Sequence, residues 1–147
     1  MSSRKLVPFD VTLHVRDTCL CLHVQCAARA LARRFDEVLR PLELTNGQFS
    51  LLMSLNRPMP PDMGDVANLL AMDRTTLTAA LKPLKRRGLV KIAVDKEDKR
   101  SRLLSLTPAG RTLLADAVPL WKKAHAEFER RLPRSADALR SDLAALS

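Results

Sequence analysis

Residues 62–107 constrain the fold more than any other stretch, because two helix starts, a glycine stop and two short strands follow one another with almost no spacer. Asp62 with Asp65 opens a short helix that runs to Ala71 and carries Val66, Leu69 and Leu70. Asp73 is an N-cap for a second helix over Arg74 to Arg87, and Gly88 stands where a left-handed residue ends a helix. Two helices joined by so short a turn form a helix-turn-helix. Leu89–Val94 and Arg102–Leu106 then read as strands, and the charged run Asp95–Ser101 between them is too polar to pack, so it projects as a hairpin tip. A helix-turn-helix followed by a basic hairpin is a winged helix. Pro83 removes the bond to the Ala79 carbonyl, but Leu77, Leu81, Leu84 and Leu89 keep one apolar face, so a kink is expected rather than a break.

Outside this lobe the 3.6-residue periodicity is nearly continuous and glycine is scarce, so the fold class is mostly α with a small β-hairpin wing. A first long helix is expected over Arg16 to Arg40, with Leu20, Val24, Ala27, Leu31, Phe35, Val38 and Leu42 in one stripe and Pro41 at its end. Thr45 with Gln48 is a capping box for a helix that turns Phe49, Leu51, Leu52 and Leu55 inward. Arg57-Pro-Met-Pro-Pro61 is a loop by its prolines. Thr107 caps a further helix with Pro108 in its first turn; it runs toward Arg131 with a bend expected at Pro119. Pro133 breaks the chain, and Ser135 caps a last helix with Ala138, Leu139, Leu143 and Leu146. The first and last helices carry more apolar surface than a lobe of about 60 residues covers, which points to subunit association.

Charge narrows the partner. The chain nets +9, and the segment from Arg74 to Arg102 holds ten basic residues against three acidic ones. So local a stripe points to a polyanion, nucleic acid before membrane. No apolar run reaches the roughly 18–20 residues that span a bilayer. Met1 to Asp10 has a basic pair but no apolar stretch before a cleavage site, so no leader is expected. The three cysteines bunch within Cys19–Cys26, which is not a secreted disulfide framework and fits a reducing cytoplasm. Cys19, His23 and Cys26 share a helix face, but no fourth ligand accompanies them, and neither metal nor cofactor is expected. There is no phosphate-cradling glycine loop, no Gly-x-Ser-x-Gly elbow and no His/Asp setting around a nucleophile, so an enzyme is not expected.

Three motifs carry a resemblance: Asp73-Arg-Thr-Thr-Leu-Thr78, Leu84-Lys-Arg-Arg-Gly-Leu-Val90, and Asp95-x-x-Asp98-x-Arg100 continuing to Leu106-Thr107 through the wing. From about Val15 to Ala126 the chain resembles the MarR family of bacterial regulators. That resemblance implies a single MarR-type domain over residues 1–147, with dimerisation helices over 11–42 and 108–147. The DNA-binding lobe is then 45–107, with the recognition helix at 73–87 and the wing at 89–107. It further implies an obligate homodimer whose terminal helices intertwine, binding a pseudo-palindromic double-stranded operator as a transcriptional regulator, most commonly a repressor. A winged helix used only for protein–protein contact is the alternative of another class, although such modules tend to lose the basic wing.

The physics of readout agrees with the implied roles. Arg74, Thr75, Thr76 and Thr78 would face the major groove, where arginine donates to guanine and threonine offers a hydroxyl and a methyl. Lys82, Lys85 and Arg86 are placed for phosphates. Arg100 corresponds to the family's minor-groove arginine and Asp98 to the acid that holds it, with Lys96, Lys99 and Arg102 adding backbone contacts. The resemblance also implies an effector, often a small aromatic anion, which His14, Arg16, Trp121 and His125 would contact; a packed Trp121 is the alternative. One branch of the family senses organic hydroperoxides through a cysteine near the start of the first helix, and Cys21 corresponds to it. The chain departs from that branch in having no tyrosine, with Gln25 and Phe35 where tyrosines would stand, and a buried, inert cysteine is the other reading.

Overall fold

The computed structural model describes residues 5–147, so the reading of a missing leader extends over four residues outside the described ones. Two helices, α1 (Phe9–Thr18) and α2 (Leu20–Leu39), take the place of the single helix expected over 16–40. Between them Cys19 is extended, with φ −67° and ψ 109°. The Thr18 hydroxyl donates back to the His14 carbonyl, and the Cys19 sulfur accepts the Leu22 amide at 3.4 Å, so two short side chains cap the two ends. Neither glycine nor proline marks the break, which is why periodicity reads straight through it.

The chain divides within α2 into a unit up to Arg34 and a unit from Phe35 onward. In the first, no side chain of α1 is buried, and Phe9, Val15, Leu20 and Leu31 are all exposed. The second unit continues through a 3-10 turn (Arg40–Leu42), α3 (Asn46–Ser54), α4 (Met63–Leu70), α5 (Arg74–Arg86), β1 (Val90–Val94), β2 (Arg102–Leu106), α6 (Pro108–Arg131) and α7 (Ala136–Ala145). Its core gathers Leu39, Leu51, Leu52, Val66, Leu77, Leu81, Leu84 and Leu104, all essentially inaccessible to solvent. Each such side chain contributes about 1.5–3 kcal/mol relative to exposure.

Local signals set the element ends. Thr45 and Gln48 form the expected capping box on α3, and Asp36 reinforces it by accepting the Asn46 amide at 2.7 Å and its side-chain N–H at 2.9 Å. Those hydrogen bonds hold the Asp36 carboxyl below the usual carboxylate range, so it is charged at neutral pH. Phe49, Leu51, Leu52 and Leu55 are buried as expected. On α4, Val66 and Ala67 are buried with Leu70 partly so, while Leu69, at the edge of that face, is 60% exposed and is not a core residue. Helix α5 runs unbroken through Pro83 because Leu77, Leu81 and Leu84 anchor it on both sides of the missing bond.

Strands β1 and β2 pair antiparallel from Val90 opposite Leu106 to Val94 opposite Arg102. The proline loop does more than connect: Asp62 bridges to Leu103, and the Leu104 amide donates to the Pro61 carbonyl at 2.9 Å. At the start of α6 the Thr107 hydroxyl donates to the Gly88 carbonyl at 2.6 Å and accepts the Gly110 amide at 3.0 Å. Gly110 lies so close to the chain entering β1 that a Cβ there would overlap the Leu89 carbonyl oxygen. Helix α6 continues through Pro119. Arg140 pairs with Asp137 within α7 and with Glu129 of α6, and Phe35 meets Phe128 edge-on at 5.0 Å.

Candidate nucleic-acid interface

The turn between α4 and α5 is made by Ala71, Met72 and Asp73. Ala71 takes a left-handed conformation (φ 52°), and the Met72 amide returns to the Ala67 carbonyl, closing α4. The Asp73 carboxylate accepts the Thr76 amide at 2.7 Å; that bond lowers its pKa and directs the charge onto the helix end. Leu77, Leu81 and Leu84 point into the core, so Thr75, Thr76, Lys82 and Arg86 stand exposed on the far side of α5.

The wing tip is shaped by its acids. Asp95 accepts the Glu97 amide at 2.9 Å and Asp98 the Arg100 amide at 3.0 Å, while the Ser101 amide donates to the Asp98 carbonyl. Asp98 therefore holds Arg100 through its backbone, and among the described residues no ion pair joins it to the guanidinium. The Arg100 side chain is left exposed at the tip. Arg102 donates to the carbonyls of Lys99 and Ser101 and so stiffens the same turn.

Between the start of α5 and the wing lies an open cleft of about 390 Å³, lined by Gly64, Arg74, Thr78, Asp98, Arg100 and Arg102 among others. Arg74 sits against α4, its Nη2 3.5 Å from where a Cβ on Gly64 would stand, and the Thr78 hydroxyl donates to the Arg74 carbonyl at 2.7 Å. Of the residues expected to read bases, Thr75 and Thr76 lie clear of that cleft, whereas Arg74 and Thr78 flank it beside the wing. Lys82, Lys85 and Arg86 line a second basic surface along α5, and Lys96 and Lys99 are exposed on the tip.

The other expected residues are divided between the two units. His14 and Arg16 lie on α1, where Arg16 is bonded to Asp17 at 2.7 Å. Trp121 and His125 lie on α6, stacked on each other at 4.5 Å; Trp121 also stacks on Phe49 at 6.2 Å, and His125 Nδ1 is 3.4 Å from Glu129. Cys21 is exposed on α2, its sulfur accepting the Gln25 side-chain N–H at 2.9 Å. Among the described residues no group of three or more His, Cys, Asp or Glu is arranged to hold a metal, and no helix is long and apolar enough to cross a membrane.

Sequence reasoning missed two residues that hold this surface in place. Arg87, counted within the basic stripe, donates to the carbonyls of Glu43 at 2.6 Å and Leu42 at 3.3 Å. Gly110 had a visible signal, since a glycine in the first turn of a helix costs about 1 kcal/mol and so asks for a packing reason.

A helix-turn-helix with an exposed basic helix and a basic hairpin beside it is the architecture of winged-helix nucleic-acid-binding proteins. The MarR family model matches residues 44–101. The transcriptional regulator TtmR of Methylorubrum extorquens is 35% identical over 97 residues, 66% of this chain and 50% of that protein, so the chain spans about half the length of that curated relative. The organic hydroperoxide resistance transcriptional regulator of Bacillus subtilis is 30% identical over 101 residues, 69% of each chain. Among solved structures, the Mycobacterium tuberculosis regulator MosR in complex with DNA is 36% identical with a TM-score of 0.81, covering 88% of this chain and 93% of that one. The chain belongs to the MarR family of transcriptional regulators, and its fold and relatives are those of regulators and not of enzymes.

Proposed function

We propose that this chain is a homodimeric, sequence-specific DNA-binding transcriptional regulator, a repressor that occupies a pseudo-palindromic operator with one lobe in each half-site and is released by a small effector. The observation that carries the reading is the exposed Arg100 on a tip where Asp95 and Asp98 accept backbone amides, beside the cationic face of α5. Association is supported by exposed apolar side chains: Leu20 is 65% exposed, Leu31 44% and Leu146 62% in the isolated chain. Replacing Arg100 with Ala tests the wing. At about 0.15 M salt the variant should bind a selected operator at least tenfold more weakly while melting like wild type. Undiminished binding would remove the wing from the interface.

A second reading of the input is favoured by the Cys21 environment. Exposure gives a peroxide access to the sulfur, and Gln25 supplies a side-chain N–H donor to it in a chain that lacks tyrosine. In this reading oxidation of Cys21 by an organic hydroperoxide to the sulfenic acid, with the peroxide reduced to its alcohol, releases DNA. Treatment with cumene hydroperoxide should abolish operator binding by wild type and spare the Cys21→Ser variant. Equal loss in both proteins would exclude Cys21 as the sensor.

A further inference from the structure

We infer that Arg87 is a positioning residue of the recognition helix, acting through the backbone of the α2–α3 corner and not through DNA. The inference rests on the DNA-binding reading above. Arg87 is the C-cap of α5 and belongs by sequence to the densest part of the basic stripe, so a phosphate contact is the obvious role. Its guanidinium is engaged elsewhere: Nη1 donates to the Glu43 carbonyl at 2.6 Å and Nη2 to the Leu42 carbonyl at 3.3 Å, across 44 and 45 residues of chain. Leu42 ends the 3-10 turn after α2, and Glu43 follows it in the left-handed region at φ 55°, ψ 37°. Carbonyls at a helix end lack intrahelical donors and carry partial negative charge, so a planar two-pronged cation suits them.

What Arg87 grips is itself built stiff. The Glu43 amide returns to the Arg40 carbonyl at 2.8 Å and the Leu44 amide to the Leu39 carbonyl at 3.3 Å. Asp36 of α2 holds Asn46, the first residue of α3, through two further bonds. The end of α2, the turn and the start of α3 are thus one hydrogen-bonded piece. Arg87 ties the last turn of α5 to it, while Leu77, Leu81 and Leu84 anchor the rest of the helix in the core. A shift of this corner is passed through the guanidinium to α5, one unbroken helix whose other end carries Arg74, Thr75 and Thr76.

The test compares wild type, Arg87→Gln and Arg87→Lys on two duplexes: one selected by the wild-type chain from a random pool, and a scrambled duplex of the same length. General destabilisation lowers the active fraction and weakens both duplexes alike. A misplaced recognition helix lowers the ratio between them. Arg87→Gln should cut the selected-to-scrambled ratio about tenfold, the worth of one base contact, with the salt slope of wild type retained. Arg87→Lys keeps the charge but replaces the fork with a point donor, and should lose about threefold of the ratio, again at unchanged slope. A slope reduced by about one with both duplexes weakened equally would make Arg87 a phosphate contact and overturn the inference. A wild-type ratio in Arg87→Lys would overturn it too, and that variant carries the test if Arg87→Gln does not fold. A wild-type chain that selects no duplex overturns the DNA-binding reading itself, and the inference with it.

Discussion

Gly110→Ala is expected to lower the melting temperature by roughly 6–12 °C, the consequence of about 3 kcal/mol of overpacking in a chain of this size. The added Cβ would overlap the Leu89 carbonyl oxygen and come within 3.4 Å of Leu106 Cδ2. The Leu106 methyl can shift, but the Leu89 carbonyl is backbone and cannot step aside. The same oxygen accepts the Thr107 amide at 3.1 Å, and Thr107 is bonded in turn to Gly88 and Gly110. Relief therefore requires α6 to lift from the corner between α5 and β1, which breaks the cap of α6. Gly47→Ala is the internal control: its Cβ would meet only Thr45 Oγ1, at 4.0 Å, in a helical position where alanine is the better residue. Thermal unfolding followed by circular dichroism should show a large drop for the first substitution and none for the second. If Gly110→Ala melts within about 2 °C of wild type, the close approach of α6 to β1 is not a constraint on the fold.

Raising salt from about 50 to 200 mM should weaken operator binding by roughly 10³–10⁵, as expected of a protein that neutralises about 6–10 phosphates and releases their counterions. Two copies of Lys82, Lys85, Arg86, Lys96 and Lys99 supply enough cations for that number. The local acids are too few to cancel them: Asp73, Asp95 and Asp98 accept the amides of Thr76, Glu97 and Arg100, and Glu97 is exposed on the tip, against a larger number of cations. The surface thus keeps a positive excess, with Asp73 capping a helix and Asp95 and Asp98 closing turns. Fluorescence anisotropy across a salt series gives the slope directly. A flat response would mean that this face does not meet a phosphate backbone.

Much of the lobe could be read from neighbouring residues. Thr45 with Gln48, Asp62, Asp73, Thr107 and Ser135 all cap the helices assigned to them. Gly88 is left-handed at φ 70° past the end of α5, and the strands flank the polar tip as expected. These features are legible because caps, turns and amphipathic spacing are set by interactions within a few residues. The break at Cys19 was not legible, since it depends on a hydroxyl and a thiol that bond back to the chain without any strong breaker. Which of Val66, Leu69 and Leu70 faces in was not legible either, because the exact phase of a short helix decides it.

The basic surface itself shows the division. Sequence alone determined that a cationic helix and a cationic hairpin lie side by side, because both follow from capping and polarity along one stretch of chain. Only the tertiary structure decided which cations are available to a partner. Arg87 is bonded to carbonyls 44 and 45 residues away, Arg102 braces its own turn, Arg74 lies in a cleft against Gly64, and among the described residues no ion pair joins Arg100 to Asp98, which is bonded to its amide. The same holds for Gly110 against Leu89 and for Leu104 against Pro61. A side chain's charge is a local property, but its engagement depends on which distant backbone groups the packed core brings within hydrogen-bond reach.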